Sequence, residues 1–133
     1  MFRERVSENI YVFTSDLYAQ VTAGAVVTPR GTILIDSLPF PSETREMASF
    51  IDKVSPDGVR YVILTHYHAD HAYGAYLFPE ATLVSHWLCR RYLKERGRPA
   101  LQEAKTQEPM LEQVELRLPD VTFEGQEMAV QLG

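Results

Sequence analysis

His66, His68, Asp70 and His71 fall within six residues and hold three of the four histidines in the chain. Imidazole nitrogen and carboxylate oxygen are ligands that a borderline cation such as zinc accepts, and all four groups are free of protons near neutral pH at modest cost. In extended backbone, residues two apart point the same way, so His66 and His68 converge on one ion. Asp70 and His71 sit where the chain turns into a helix, within reach of a second position, as in a two-metal centre. A single ion gathered by His66, His68 and His71, with or without Asp70, is the alternative. A satisfied polar loop is the plain reading of clustered histidines, but this spacing directly after a buried strand favours ligands.

The flanking pattern supplies the elements that must hold these side chains. Val59 to Thr65 is the most strand-like run of the chain, apolar enough to be covered on both faces, and delivers its carboxyl end straight into His66. Before it, Asn9 to Thr14 and Val21 to Thr28 alternate as strands, Pro29-Arg30-Gly31 closes a hairpin, and Thr32 to Asp36 is a short buried strand ending on a carboxylate. From Ser42, Met47, Phe50, Ile51 and Val54 recur on one helix face. After the cluster, Ala72 to Phe78 predicts a short helix stopped by Pro79, Ala81 to Ser85 a strand, and Trp87 to Arg96 a helix ended by Gly97 and Pro99. Val121 to Phe123 and Gln126 to Leu132 read as strands around a Glu124-Gly125 turn, leaving an exposed edge near Met128 to Leu132. The alternation predicts an α/β (α+β) domain, a mixed sheet covered by helices.

Thr65-His66-Tyr67-His68-Ala69-Asp70-His71 resembles the H-x-H-x-D-H signature of the metallo-β-lactamase superfamily, and Gly31 to Asp36 is similar to that family's strand ending in Asp ahead of the site. The resemblance covers nearly the whole chain. It implies half of an αββα sandwich with helices on one face, residues 1–133 being the amino-terminal part of a longer domain. It also implies that His66 and His68 bind the first metal and Asp70 and His71 the second, with Asp70 carrying a catalytic role. The cofactor would be one or two Zn2+ ions, Fe or Mn being the other candidates, activating hydroxide against a small-molecule ester, thioester, lactone or lactam. The family's later loops add further ligands, and those positions are missing here. The chain is therefore expected to be weak or inactive alone, completed by a second copy or by a complementary carboxy-terminal half. A non-catalytic metal-binding or self-assembling module is the competing reading. An amidohydrolase barrel with His66 and His68 as its paired ligands is excluded by length, since it needs about 250 residues.

Other residues carry less. Asp36 is read either as a support for a ligand histidine or as a strand-end cap, and Thr65 either as a loop-holding hydroxyl or as an ordinary strand residue. Tyr67 and Tyr73 flank the cluster and more often pack than line a cleft. His86 reads as structural, Cys89 as a buried thiol, and Arg90, Arg91, Lys94, Arg96 and Arg98 as a solvated helix face. The net charge of -5, from 18 acidic and 13 basic residues, argues against a nucleic-acid partner. Apolar runs such as Tyr61 to Leu64 fall far short of the roughly 20 residues of a membrane span. A single cysteine and no secretory leader pattern make the cytoplasm the expected location.

Overall fold

The computed structural model describes all residues, Met1–Gly133. Seven strands form one sheet in chain order: β1 (Phe2–Arg5), β2 (Ile10–Thr14), β3 (Thr22–Thr28), β4 (Gly31–Ile35), β5 (Val59–Ile63), β6 (Thr82–His86) and β7 (Val121–Phe123). The first four pair antiparallel through short turns, and β4 to β7 pair parallel. Parallel neighbours need crossovers, and the helices supply them. Helix α1 (Pro41–Val54) links β4 to β5; α2 (Ala69–Ala72), continued by a 3-10 turn over Tyr73–Leu77, links β5 to β6. The third crossover runs through α3 (Trp87–Tyr92), a π-helical turn (Leu93–Gly97) and α4 (Arg98–Gln107). No helix is long and apolar enough to cross a membrane.

All three crossovers cover the same face. Met47 and Ile51 of α1, Ala72 and Ala75 after β5, and Cys89 and Leu93 of the third crossover share one buried cluster with Phe13, Leu34, Val62 and Leu83. The inner strands β2 to β6 turn alternate residues towards that cluster, as the pleat requires. The residues in between make the opposite face: Ile10, Val26, Ile33 and Tyr61 stand in one cross-strand row, and Val12, Gly24, Ile35 and Ile63 in the next. These side chains are only half-buried. The sheet is apolar on both sides and thickly covered on one, as expected of half a sandwich.

Two expectations need correction, and one strand had none. The first strand, β1, was not legible because its Phe2-Arg3-Glu4-Arg5 sequence is exposed throughout and is recruited only by pairing with β2. The helix from Trp87 does not stop at Gly97: Gly97 keeps helical dihedrals, and Pro99 lies in the first turn of α4. A π turn just before it lets the helix absorb both residues, and a Cβ at Gly97 would crowd Leu116 and Leu93 at 3.3 Å each. Gln126 to Leu132 is not a strand, so no strand edge exists there. Its alternation survives, but Glu124 to Gly133 makes no backbone hydrogen bond with any neighbour. The segment leaves β7 and ends beside Thr28 and Arg30 at the β3–β4 turn.

Candidate metal centre

The cluster sits where parallel strands usually present chemistry, at their carboxyl ends. Asp36 directly follows strand β4, and its φ of 62° is left-handed, a region Asp tolerates better than most side chains. That turn points its buried carboxylate sideways under the end of β5. Asp36 Oδ1 accepts the Thr65 backbone N–H at 2.8 Å and Oδ2 accepts the Thr65 hydroxyl at 2.7 Å. The Thr65 hydroxyl proton is thereby committed. Its oxygen lies 2.8 Å from His66 Nδ1 and can only accept, which places the ring proton on Nδ1 and leaves the lone pair on His66 Nε2. Asp36 is therefore tied to His66 through Thr65, whose hydroxyl bonds a carboxylate and a ring nitrogen and makes no bond to the local backbone.

His68 is the N-cap residue of α2, and Asp70 and His71 lie in its single turn, which begins earlier than the pattern after Ala72 suggested. Two supports that the sequence did not reveal hold this turn. Ser37, fully buried, donates its hydroxyl to the His71 carbonyl at 2.9 Å and accepts the Gly74 N–H at 2.9 Å; its own N–H reaches the same carbonyl at 3.0 Å. Gly74 is required by this approach: a Cβ there would stand 2.8 Å from Ser37 Cβ and closer still to Thr44 Oγ1. A serine after a strand and a glycine after Tyr73 carry no pattern that marks them in advance.

The four cluster residues come together. The His66 ring lies 4.7 Å from His68 and 4.4 Å from His71, centroid to centroid. Donor atoms of His66, His68 and Asp70 lie within 4.8 Å of one another, as do those of Asp36, His66 and His71. His71 Nε2 is 3.6 Å from Asp70 Oδ2. His71 Nδ1 is 3.1 Å from Asp36 Oδ2 but off the hydrogen-bond direction, so this buried nitrogen has no hydrogen-bond partner. Partial burial, and after it the adjacent His71, hold His66 below its ordinary pKa, against a smaller opposing pull from Asp36 and Asp70. The neutral ring is the ligating form. Three imidazoles, a carboxylate and an orphaned buried nitrogen make a donor set that fits a cation.

The flanking residues divide. Tyr67 packs on His68 at 5.0 Å and on Tyr92 at 5.2 Å, and its hydroxyl accepts from Arg96 at 3.3 Å. Arg96 also lies over the Tyr92 ring at 4.5 Å. Tyr73 is buried, and that burial raises its pKa. His86 caps α3 by accepting the Leu88 N–H at 3.2 Å and packs edge-on against Phe123. Burial raises the Cys89 thiol. The basic stretch is dispersed: Arg90 donates to the Pro119 carbonyl, Arg91 pairs with Glu95, and Arg96 turns towards the tyrosines.

The family model of the metallo-beta-lactamase superfamily matches residues 18–131. Among solved structures, a metallo-beta-lactamase from Pontibacter korlensis superposes with a TM-score of 0.72 at 20% identity, over 97% of this chain and 55% of that one. One from Hirschia baltica gives 0.71 at 14% identity, over 99% and 56%. FIM-1 from Pseudomonas aeruginosa, solved in a mono-zinc form, gives 0.67 at 11% identity, over 94% and 51%. At these identities the likeness is one of fold. No curated protein matches the chain. The chain spans about half the length of these solved structures. With the family model covering all but the two ends, this chain belongs to the metallo-beta-lactamase superfamily.

Proposed function

We infer that the chain carries one wall of a metal-dependent hydrolase centre, with His66, His68, Asp70 and His71 as its ligands and zinc as the ion. The observation that supports this most is the Asp36–Thr65–His66 relay, which leaves the His66 Nε2 lone pair free in a ring that lies among further donors. The ion would lower the pKa of a bound water towards about 7 and polarise a carbonyl. The chain's own residues do the rest. His66 and His68 would present ring nitrogens to the ion, Thr65 fixes the first of them, and the Ser37–Gly74 clamp fixes His71. Asp70 is read as both ligand and proton acceptor; one of its carboxylate oxygens lies 3.6 Å from His71 Nε2.

Two or three ligands hold an ion more weakly than a closed set, and the chain alone is read as a weak or inactive hydrolase of a small ester, thioester, lactone or lactam. Equilibrium dialysis against zinc, followed by elemental analysis, tests the site. Wild type should retain zinc, and the His66→Ala, His68→Ala double variant should lose most of it; equal retention would remove the reading.

A second reading, self-association, draws on the half-buried apolar rows through Ile33, Ile35, Tyr61 and Ile63. Such a face favours a covering layer, from another copy or from a complementary carboxy-terminal half. Sedimentation of wild type and Ile35→Asp should show a concentration-dependent dimer only in wild type. A strictly monomeric wild type contradicts it. No nucleic-acid or membrane partner is proposed, and the cytoplasm is the location that a lone buried thiol suits.

A further inference from the structure

A cleft of about 410 Å³ opens directly beside the cluster, with Ala69 and Asp70 forming one wall. The rest of its lining is mostly apolar and comes from elements far apart in sequence: Leu17 and Tyr18 after β2, Phe40 before α1, Tyr73, and Ala104 and Leu111 from α4 and the turn beyond it. Leu17 and Tyr18 are 49% and 46% exposed, large apolar side chains left in water at its mouth. They are held there. Ser15 Oγ accepts the N–H groups of Leu17 and Tyr18 at 3.2 and 3.0 Å and donates to buried Glu43, while Glu43 also accepts the Asp16 N–H at 2.9 Å. Tyr18 packs edge-on against Phe40 at 6.3 Å.

Resting on the hydrolase reading above, we propose that this cleft binds the apolar acyl chain of the substrate, with the reacting carbonyl at Asp70. The polar groups in the lining indicate which chain. Asp70 and Glu108 are the cleft's two charged side chains, both carboxylates, so an anionic tail is repelled and a neutral hydrocarbon is accepted. The volume is in the range of ordinary small-ligand pockets, and its walls supply mainly hydrophobic contact with few polar fixtures. The favoured substrates are esters, thioesters or lactones with a neutral aliphatic acyl group, in preference to acetyl or succinyl analogues.

Straight-chain hydroxamates, which combine a metal-binding head with an alkyl tail, test this by calorimetry on the zinc-loaded chain. From aceto- to hexanohydroxamate the affinity should rise about fourfold per buried methylene. Ala104→Phe, which fills the cleft from α4, should flatten that rise and leave acetohydroxamate binding unchanged. A flat series in wild type overturns the proposal and leaves the metal reading standing. Failure of acetohydroxamate to bind counts against the metal reading instead. The cleft is then judged in metal-free protein by NMR, where the methyl group of hexanol should give nuclear Overhauser contacts to Leu111 and Tyr73. Their absence overturns the proposal whatever the metal does.

Discussion

The two faces of the sheet are built from the same residue types, and they differ in what covers them. On one, Leu34 is fully buried under Met47 and Ile51; on the other, its neighbours Ile33 and Ile35 stay half-exposed. A strand that alternates apolar and polar needs one cover, whereas one that is apolar throughout needs two. The carboxyl edge of the sheet contrasts with both. There each support is closed by hydrogen bonds, Asp36 to Thr65 to His66 and Ser37 to His71 and Gly74. The wall that carries the donors is finished in detail, and the apolar layer beneath it is open on one side.

Core truncation should separate the faces most strongly. Leu34→Ala is expected to lower the unfolding free energy by about 2–5 kcal/mol, because it leaves a cavity in close-packed surroundings. Ile33→Ala, one residue away on the open face, should cost about 1 kcal/mol, since much of its surface is never removed from water. Urea unfolding of the two variants measures the difference, and equal losses would mean that both faces are equally covered in solution.

Next in size is the support under the donors. Asp36→Asn keeps the left-handed turn but replaces one acceptor oxygen with an NH2 group, so one Thr65 donor loses its partner. A loss of about 1–3 kcal/mol in stability is expected. A drop of about ten- to a hundredfold in zinc affinity should accompany it. Calorimetric zinc titration beside urea unfolding reads both. A stability loss with unchanged zinc affinity would reduce Asp36 to a strand-end cap.

The smallest effect is a pH dependence. His66 is held below its ordinary pKa in the folded chain, so as pH falls the unfolded chain takes up the proton first. The contribution of the neutral ring is complete above about 6.5, the ordinary histidine value, and is lost as pH falls from there through the lowered folded value. Unfolding midpoints of wild type and His66→Gln, compared between pH 7.5 and 5.5, should converge towards the acid end. Parallel curves would contradict the shift.

The donor set was readable because it is local: His66, His68, Asp70 and His71 are consecutive enough for spacing alone to bring them together. So were β2 to β6 and α1, whose apolar periods match what the core demands. Ser37, Gly74 and the Asp36–Thr65 pairing were hidden because they join residues 29 to 37 positions apart, and no local pattern encodes that approach. β1 and Gln126 to Leu132 fail in opposite directions for one reason. A strand exists only where a neighbour pairs with it, so charged Arg3-Glu4-Arg5 becomes one beside β2, and the well-patterned Met128, Val130 and Leu132 do not. Family likeness filled part of this gap by implying a second layer that no residue of the chain spells out.

Histidine-ring nitrogen NMR during a zinc titration tests the central claim most directly, because it reports which nitrogen of which ring meets the ion. The relay from Asp36 through Thr65 predicts that His66 already carries its proton on Nδ1 before zinc is added, and that zinc moves the Nε2 resonance of that ring together with resonances of His68 and His71. A His66 ring protonated on Nε2, or three rings whose nitrogens ignore saturating zinc, would contradict the account.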